Sequence, residues 1–448
     1  MTAPENRTVD ARLPDEVPEV PTPVETPPPE VLPGGAADDS EASGALAFLT
    51  VFRHRNYRLF FSGQLVSLMG TWITNVTQGW LVYHLTGSPL LLGVVSFAGQ
   101  VPVFFLAPFG GVISDRFDRR RMLVVTQALA MLQSAALATL ALTGVIRVEH
   151  IVVLALLQGL INAFDVPIRQ GMTVDMVGKE DLRHAISLNS MMFNLARVLG
   201  PSIAGLLIAA VGAGLCFALD AVSYAAVIAN LVQMRFVAKP RPKQDNPLRA
   251  VRAGFLYVWY QREIRSSLML VAMVSAFGAS YLSLLPAFAR DVLHQGSAGL
   301  GFLYGAVGGG ALAGAYALAR VRDRHLFLTP VAAALCFGVT LIFFSRSHIY
   351  WLSLALIAPT AFSLMLLGGS TNTIIQLLAR DDMRGRVVAF YAMSFMGMMP
   401  WGSLILGWVA ERVGTSWAVT VGGCICVAAA VGAFHERKGG NWKLKTAE

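Results

Sequence analysis

Twelve apolar runs set the terms for this chain. They lie at 59–83, 89–113, 122–144, 150–171, 186–211, 215–234, 267–289, 299–319, 327–345, 351–375, 387–410 and 416–434. Each is long enough to cross a hydrocarbon core of ~30 Å as a helix rising about 1.5 Å per residue. A soluble body needs charge to cover its surface, roughly 25% of its residues. Here 55% of residues are hydrophobic and 14% charged. The sequence therefore predicts an all-α polytopic membrane protein with twelve transmembrane helices.

Lys and Arg are divided unevenly between the two ends of these spans. From Arg53 onward, segments on the N-terminal side carry 28 of them and segments on the opposite side carry 4. Positive charge stays inside, so both termini are expected in the cytoplasm, with the spans in a plasma (inner) membrane. Residues 1–46 hold ten acids, two bases and nine prolines, which predicts a disordered acidic tail. It lacks a basic start followed by an apolar core, so it does not read as a signal peptide. The tail's charge of −8 leaves +16 for the rest of a chain whose net charge is +8. In a membrane protein that excess faces anionic lipid rather than nucleic acid.

The longest connection, 235–266, is rich in Lys, Arg and Pro. Its Leu248, Val251, Phe255, Val258 and Trp259 against Arg249, Arg252 and Arg262 predict an amphipathic surface helix. It separates six spans in 47–234 from six in 267–436, and 437–448 forms a second cytoplasmic tail. A shift of 208 lays Gly93 on Gly301 and Asp115-Arg116 on Asp323-Arg324; a shift of 201 aligns Leu182-Arg183 with Met383-Arg384. Two pseudo-repeated six-helix bundles follow, with a solute site expected between them near mid-membrane.

Polar residues inside spans either line a water-filled space or bind helices together. Gln64, Ser67, Thr71, Asn75 and Gln78 fall on one face of span 1, and Gln158, Asn162, Asp165 and Arg169 on one face of span 4. Ser363, Ser370 and Thr373 form a looser line on span 10. Three charges lie within spans: Asp165, Arg197 and Asp220. Each costs about 2.5–3.5 kcal/mol or more if unpaired in hydrocarbon, so partners are expected. Asp165 and Arg197 come out at similar depth, and Arg169 lies one turn from Asp165. Asp165 is thus the leading candidate for exchanging a proton, with a structural ion pair as the alternative. Cys216, Cys336, Cys424 and Cys426 all lie in apolar runs and read as small packing residues; no metal or cofactor is called for.

The link after span 2 reads Gly111-x-x-x-Asp115-Arg116-x-Asp118-Arg119-Arg120-Arg121. It resembles the Gly-x-x-x-Asp-Arg-x-Gly-Arg-Arg loop of the major facilitator superfamily, with Asp118 in place of the second Gly. Arg197-Val-Leu-Gly200-Pro201-Ser-Ile-Ala204-Gly205 in span 5 is similar to the superfamily's exporter motif, with alanines at two glycine positions. Trp80 to Pro89, Asp165-Val-Pro167-Ile-Arg169 and Leu219-Asp220-Ala-Val-Ser-Tyr224 resemble the drug-efflux branch containing the enterobactin and macrolide exporters. The resemblance runs from about Phe52 to about residue 435. It implies that Asp115 gates the transporter by facing the start of span 11. It also implies an arginine three residues before the Gln-Gly of span 4, where this chain has Ala155; Asp165, Arg169, Arg197 and Asp220 remain as coupling candidates.

No Gly-x-x-x-x-Gly-Lys-Ser/Thr loop is present, and no Ser-centred elbow or histidine cluster suggests an enzyme. The expected function is alternating-access export of a small solute in exchange for protons. The mostly uncharged stripes, with arginines outnumbering acids, lean toward amphiphilic or anionic compounds. An importer or facilitator on the same scaffold, or a transport-inactive sensor, remains open. No residue pattern specifies an oligomeric state.

Overall fold

The computed structural model describes residues 48–438 except 117, 179–180, 235–246 and 382, and leaves out the side chains of 48–49, 107–116, 174, 247–253, 323–324 and 437–438. The expected tails at 1–46 and beyond 438, the first half of the connection, and the contacts of Gly111, Asp115 and Arg116 lie outside the described residues.

All regular structure among the described residues is helical. Spans 1 to 4 are α1 (Arg55–Thr86), α2 (Pro89–Arg116), α3 (Arg119–Leu142) and α4 (Val148–Val177). Spans 5 and 6 form one stretch, α5 (Leu182–Gln233), broken at Gly212 by φ 80° and ψ 170°. A residue with a Cβ rarely takes that conformation, so one glycine does the work of a loop. The connection supplies α6 (Pro247–Tyr260). Span 7 begins at Arg262 rather than 267 and is composite: α7 (Arg262–Met273), a π-helical turn at Val274–Ala279, α8 (Tyr281–Ala287) and a second π turn at Phe288–Val292. Then come α9 (Ser297–Leu318), α10 (Thr329–Arg346) and α11 (Tyr350–Leu378). Span 11 is divided into α12 (Arg384–Phe395) and α13 (Met399–Val413), and α14 (Thr415–Lys438) is the last.

Ten of these stretches are long and apolar enough to cross a membrane, α5 among them as a double span. The twelfth crossing is α1, whose polar stripe holds its hydropathy below that of the others. Thr86 and Pro89 turn the chain at the face opposite the termini, called the distal face below.

Helix crossings display the repeat. A Cβ at Gly205 of α5 would sit 2.5 Å from Gly301 Cα of α9, and one at Gly301 would be 2.9 Å from Ser202 O. In the other pair, a Cβ at Gly407 of α13 would be 2.8 Å from Pro89 O of α2, and Gly93 lies against Ser403 O. The aligned glycines Gly93 and Gly301 thus mark equivalent crossings, where small residues let backbones touch across the two halves. Gly79 of α1 likewise lies 3.4 Å from Pro286 of α8 by the same measure. These contacts gather toward the distal face.

The amphipathic helix is present in part. Val258 of α6 is buried with Ile264, Leu268, Ile375 and Val387. Phe255 and Trp259 are exposed and stack at 5.9 Å. Leu248, Arg249, Val251 and Arg252 have no described side chains. Cys216 and Cys426 pack in the core as expected, whereas Cys336 and Cys424 are exposed on apolar helices.

Candidate functional site

The stripe on α1 is mostly enclosed. Gln64, Ser67 and Gln78 are buried, Thr71 is half-buried, and Asn75 is exposed. Thr71 Oγ1 donates to Ser67 O at 3.0 Å and lies 3.3 Å from the Tyr224 hydroxyl of α5. On α4, Gln158 Nε2 donates to Asn162 Oδ1 at 3.2 Å. The carbonyl oxygens of Gln64 and Gln158 are buried with no hydrogen-bond partner among the described residues, an uncommon condition for a buried polar group. The span 10 line behaves differently. Ser363, Ser370 and Thr373 each donate to the carbonyl four residues back on α11, so their hydroxyls serve their own helix.

Asp165 and Arg197 do not pair, contrary to their similar depth. Asp165 Oδ2 takes Arg169 Nη2 at 2.8 Å. Its Oδ1 accepts from Thr126 Oγ1 and Gln127 Nε2 of α3, both at 2.8 Å. It is a saturated junction between α3 and α4. Asp220 has a different shell. Thr74 Oγ1 of α1 and Ser134 Oγ of α3 donate to its Oδ2 at 2.8 Å, and Ser223 Oγ lies 3.4 Å from Oδ1. It is 1% exposed and has no cation partner among the described residues. Gly70 makes room for it: a Cβ there would stand 2.5 Å from its Oδ1. In the exporter-type motif, a Cβ at Gly200 would meet Trp72 Cβ at 2.5 Å, Pro201 is buried within α5, and Gly205 makes the crossing with α9.

The arginines after α2 are tied inward. Arg119 Nη1 donates to Gly171 O at 2.6 Å and contacts Asp175 at 3.3 Å. Arg120 reaches Leu231 O at 2.8 Å and Val232 O at 2.5 Å, at the C-terminal end of α5, where the helix dipole favours a cation. Asp118, which replaces the expected glycine, caps α3: its Oδ1 accepts from Arg120 N at 2.9 Å and Arg121 N at 3.2 Å.

Sequence reasoning missed a cluster at the distal face. The Tyr83 hydroxyl of α1 donates to Asp291 after α8, and Arg290 Nη1 donates to Tyr83 O at 3.1 Å. Glu411 Oε2 of α13 accepts from Ser88 Oγ at 2.8 Å and from Leu90 N at 3.2 Å. It thus sets a carboxylate at the N-terminus of α2, where the dipole favours it. These bonds join the two halves beside an open surface pocket of about 410 Å³ lined by Tyr83, Asp291 and Glu411. A charged hydrogen bond contributes about 1.5–3 kcal/mol, less where water competes. The pair Tyr83→Phe with Glu411→Gln is therefore expected to shift the open-to-closed ratio of this face roughly tenfold, about 1.4 kcal/mol. Spin labels at the exposed Leu85 and Val413 would read it as a longer-distance population. An unchanged distribution would assign the closure to the glycine crossings alone.

The family described as transmembrane secretion effector matches residues 46–444. The Staphyloferrin A transporter of Staphylococcus aureus is 26% identical over 363 residues, 80% of this chain and 90% of the relative. The multidrug efflux pump Tap of Mycolicibacterium fortuitum is 28% identical over 77% of this chain and 87% of the relative. An enterobactin exporter, EntS, of Shigella boydii is 26% identical over 58% of this chain and 62% of the relative. Among solved structures, a bacterial homolog of the lysosomal transporter Spinster, inward-facing and occupied, superposes with a TM-score of 0.70 at 12% identity, covering 86% of this chain and 97% of that one. A bacterial homologue of the iron transporter ferroportin, inward-facing, gives 0.63 at 17% identity over 85% and 98%. At these identities the superpositions speak for the major facilitator fold.

Proposed function

The chain belongs to the family of transmembrane secretion effectors, and from that footing we propose that it is a secondary active exporter of a small amphiphilic solute. The solute is of the drug or siderophore kind named for its relatives. It moves by alternating access in exchange for protons. The distal face is extracellular and both termini are cytoplasmic, a reading supported by the 28-to-4 division of Lys and Arg. The observation that carries the proposal is the pairing of a closed distal face with polar stripes on α1 and α4 on the terminal side of it. Glycine crossings and the Tyr83–Asp291 and Ser88–Glu411 bonds hold one side shut. Toward the terminal face lie the buried amide oxygens of Gln64 on α1 and Gln158 on α4, which have no hydrogen-bond partner among the described residues.

Gly111, Asp115 and Arg116 are assigned to the opposite gate by their motif. Glu411 of α13, set against the start of α2, is its distal counterpart, a carboxylate on a helix start at the other end of the same pairing of span 2 with span 11. Residues 47–234 and 267–436 act as the two moving halves, with 235–266 as the tether. For coupling, the geometry favours Asp220 over Asp165: the first has only hydroxyl partners, the second an arginine. Cells expressing the chain should accumulate less of at least one compound from a panel of dyes, antibiotics and siderophores. An uncoupler should abolish the difference. Equal accumulation with and without the chain across the panel would defeat the export reading.

A further inference from the structure

Three arginines open α3, and they do not point the same way. Arg119 and Arg120 are tied inward, the first to Gly171 O and the second to Leu231 O and Val232 O. Arg121 turns outward. Its side chain is 89% exposed, and its ion pair among the described residues is with Asp118 at 3.9 Å, the outer limit of such a contact. Asp118 is engaged elsewhere, since its Oδ1 accepts from the backbone N–H groups of Arg120 and Arg121. The Arg121 guanidinium therefore keeps donors to spare at the level where α3 enters the membrane.

It also stands at the mouth of a groove of about 800 Å³ between α3 and α4. Val125, Leu129 and Leu132 of α3 form one wall, and Leu157 and Phe164 of α4 the other. Val125, Leu129, Leu132 and Leu157 are exposed, so the groove opens to lipid. Two polar side chains in its floor are turned away from it. Thr126 Oγ1 donates to Asp165 Oδ1 at 2.8 Å, and Gln133 Nε2 donates to Leu154 O at 3.1 Å. What remains is a hydrocarbon trough, and inside a bilayer no water fills such a space. From Arg121 to Ala136, fifteen residues on, it runs about 22 Å at ~1.5 Å per residue. That exceeds half of a ~30 Å hydrocarbon core and suits one extended acyl chain.

We propose that this groove binds an anionic phospholipid from the leaflet at the terminal face. One acyl chain lies between α3 and α4, and the phosphate takes the guanidinium of Arg121. A guanidinium presents two parallel N–H donors to phosphate oxygens, and basic residues at a membrane surface attract anionic headgroups. A solute with polar groups along its length finds no partner in the trough, and a free phosphate makes no use of its walls. The site stands apart from which solute the chain moves and in which direction.

The test uses purified full-length protein in detergent, titrated with phosphatidylglycerol or phosphatidylcholine of matched chains and read by native mass spectrometry. Wild type should retain one phosphatidylglycerol that phosphatidylcholine does not displace at equal concentration. Arg121→Gln should weaken that lipid roughly fivefold, the share of one basic residue beside an anionic headgroup. Arg183→Gln removes an exposed arginine elsewhere on the same face and should change nothing. Leu129→Trp with Leu157→Trp, both at exposed positions, should fill the trough and abolish the retained lipid. Phosphatidylcholine held as tightly as phosphatidylglycerol would overturn the proposal. So would wild-type retention in Arg121→Gln or in the double tryptophan variant, or an equal loss in Arg183→Gln.

Discussion

Asp165→Asn is expected to lower stability by about 3 kcal/mol and to deplete the protein from membranes. Removing one member of a buried pair typically costs ~3–5 kcal/mol, because the charge left behind stays desolvated. The low end applies because the Arg169 side chain is 22% exposed. The asparagine oxygen can still accept from Thr126 and Gln127, but its amide hydrogens would confront the guanidinium donors now 2.8 Å away. Apparent melting temperature in detergent reads the loss, and Asp165→Asn with Arg169→Gln should recover most of it. A single variant that melts like wild type would remove the structural role and restore Asp165 as the candidate proton carrier.

The bilayer made the fold legible. Every crossing must satisfy its backbone internally, so length, apolarity and the Lys/Arg alternation were enough to find twelve spans and a six-plus-six division. The α1 stripe was readable for the same reason: polar residues cannot face hydrocarbon without cost. What the apolar pattern hides is azimuth. Asp165 and Arg197 share a depth, but Asp165 is turned to Thr126 and Gln127 on α3, whereas Arg197 lies between α1 and α9. Depth follows from counting along a helix; direction depends on which neighbour packs on which side.

The breaks within spans were hidden too. Gly212 needed only a single residue of left-handed backbone to divide α5, too little to leave a polar gap in the sequence. The distal cluster escaped because Tyr83, Asp291 and Glu411 look like ordinary interfacial residues. Their meaning appears only when α1 is seen against the end of span 7, and α2 against α13. The repeat offered a clue that could have been followed further. Once Gly93 aligns with Gly301, any residue beside one crossing has a counterpart beside the other, so Glu411 near Gly407 invites a search around Gly205.

Asp220→Asn is expected to leave the fold intact and to uncouple transport from the proton gradient. Thr74 and Ser134 each present a hydroxyl 2.8 Å from the carboxylate, and Ser223 presents another at 3.4 Å. A hydroxyl donates or accepts as required, so the same cage holds the ionised acid, the protonated acid and the amide of asparagine. Asp165 lacks that freedom, since Arg169 and the Gln127 amide nitrogen are donors only. Thr74 precedes the exposed Asn75, and Tyr224, one turn beyond Asp220, meets Thr71 on the α1 stripe. Protonation of Asp220 therefore bears on the helix face proposed to border the solute. In proteoliposomes, Asp220→Asn should bind solute and sustain solute exchange, because exchange needs no net proton release. Its pH-gradient-driven transport should fall roughly tenfold or more, equivalent to a barrier higher by about 1.4 kcal/mol. Loss of exchange together with driven transport would show a structural carboxylate instead. Driven transport at the wild-type rate would show that the exchanged proton is carried elsewhere.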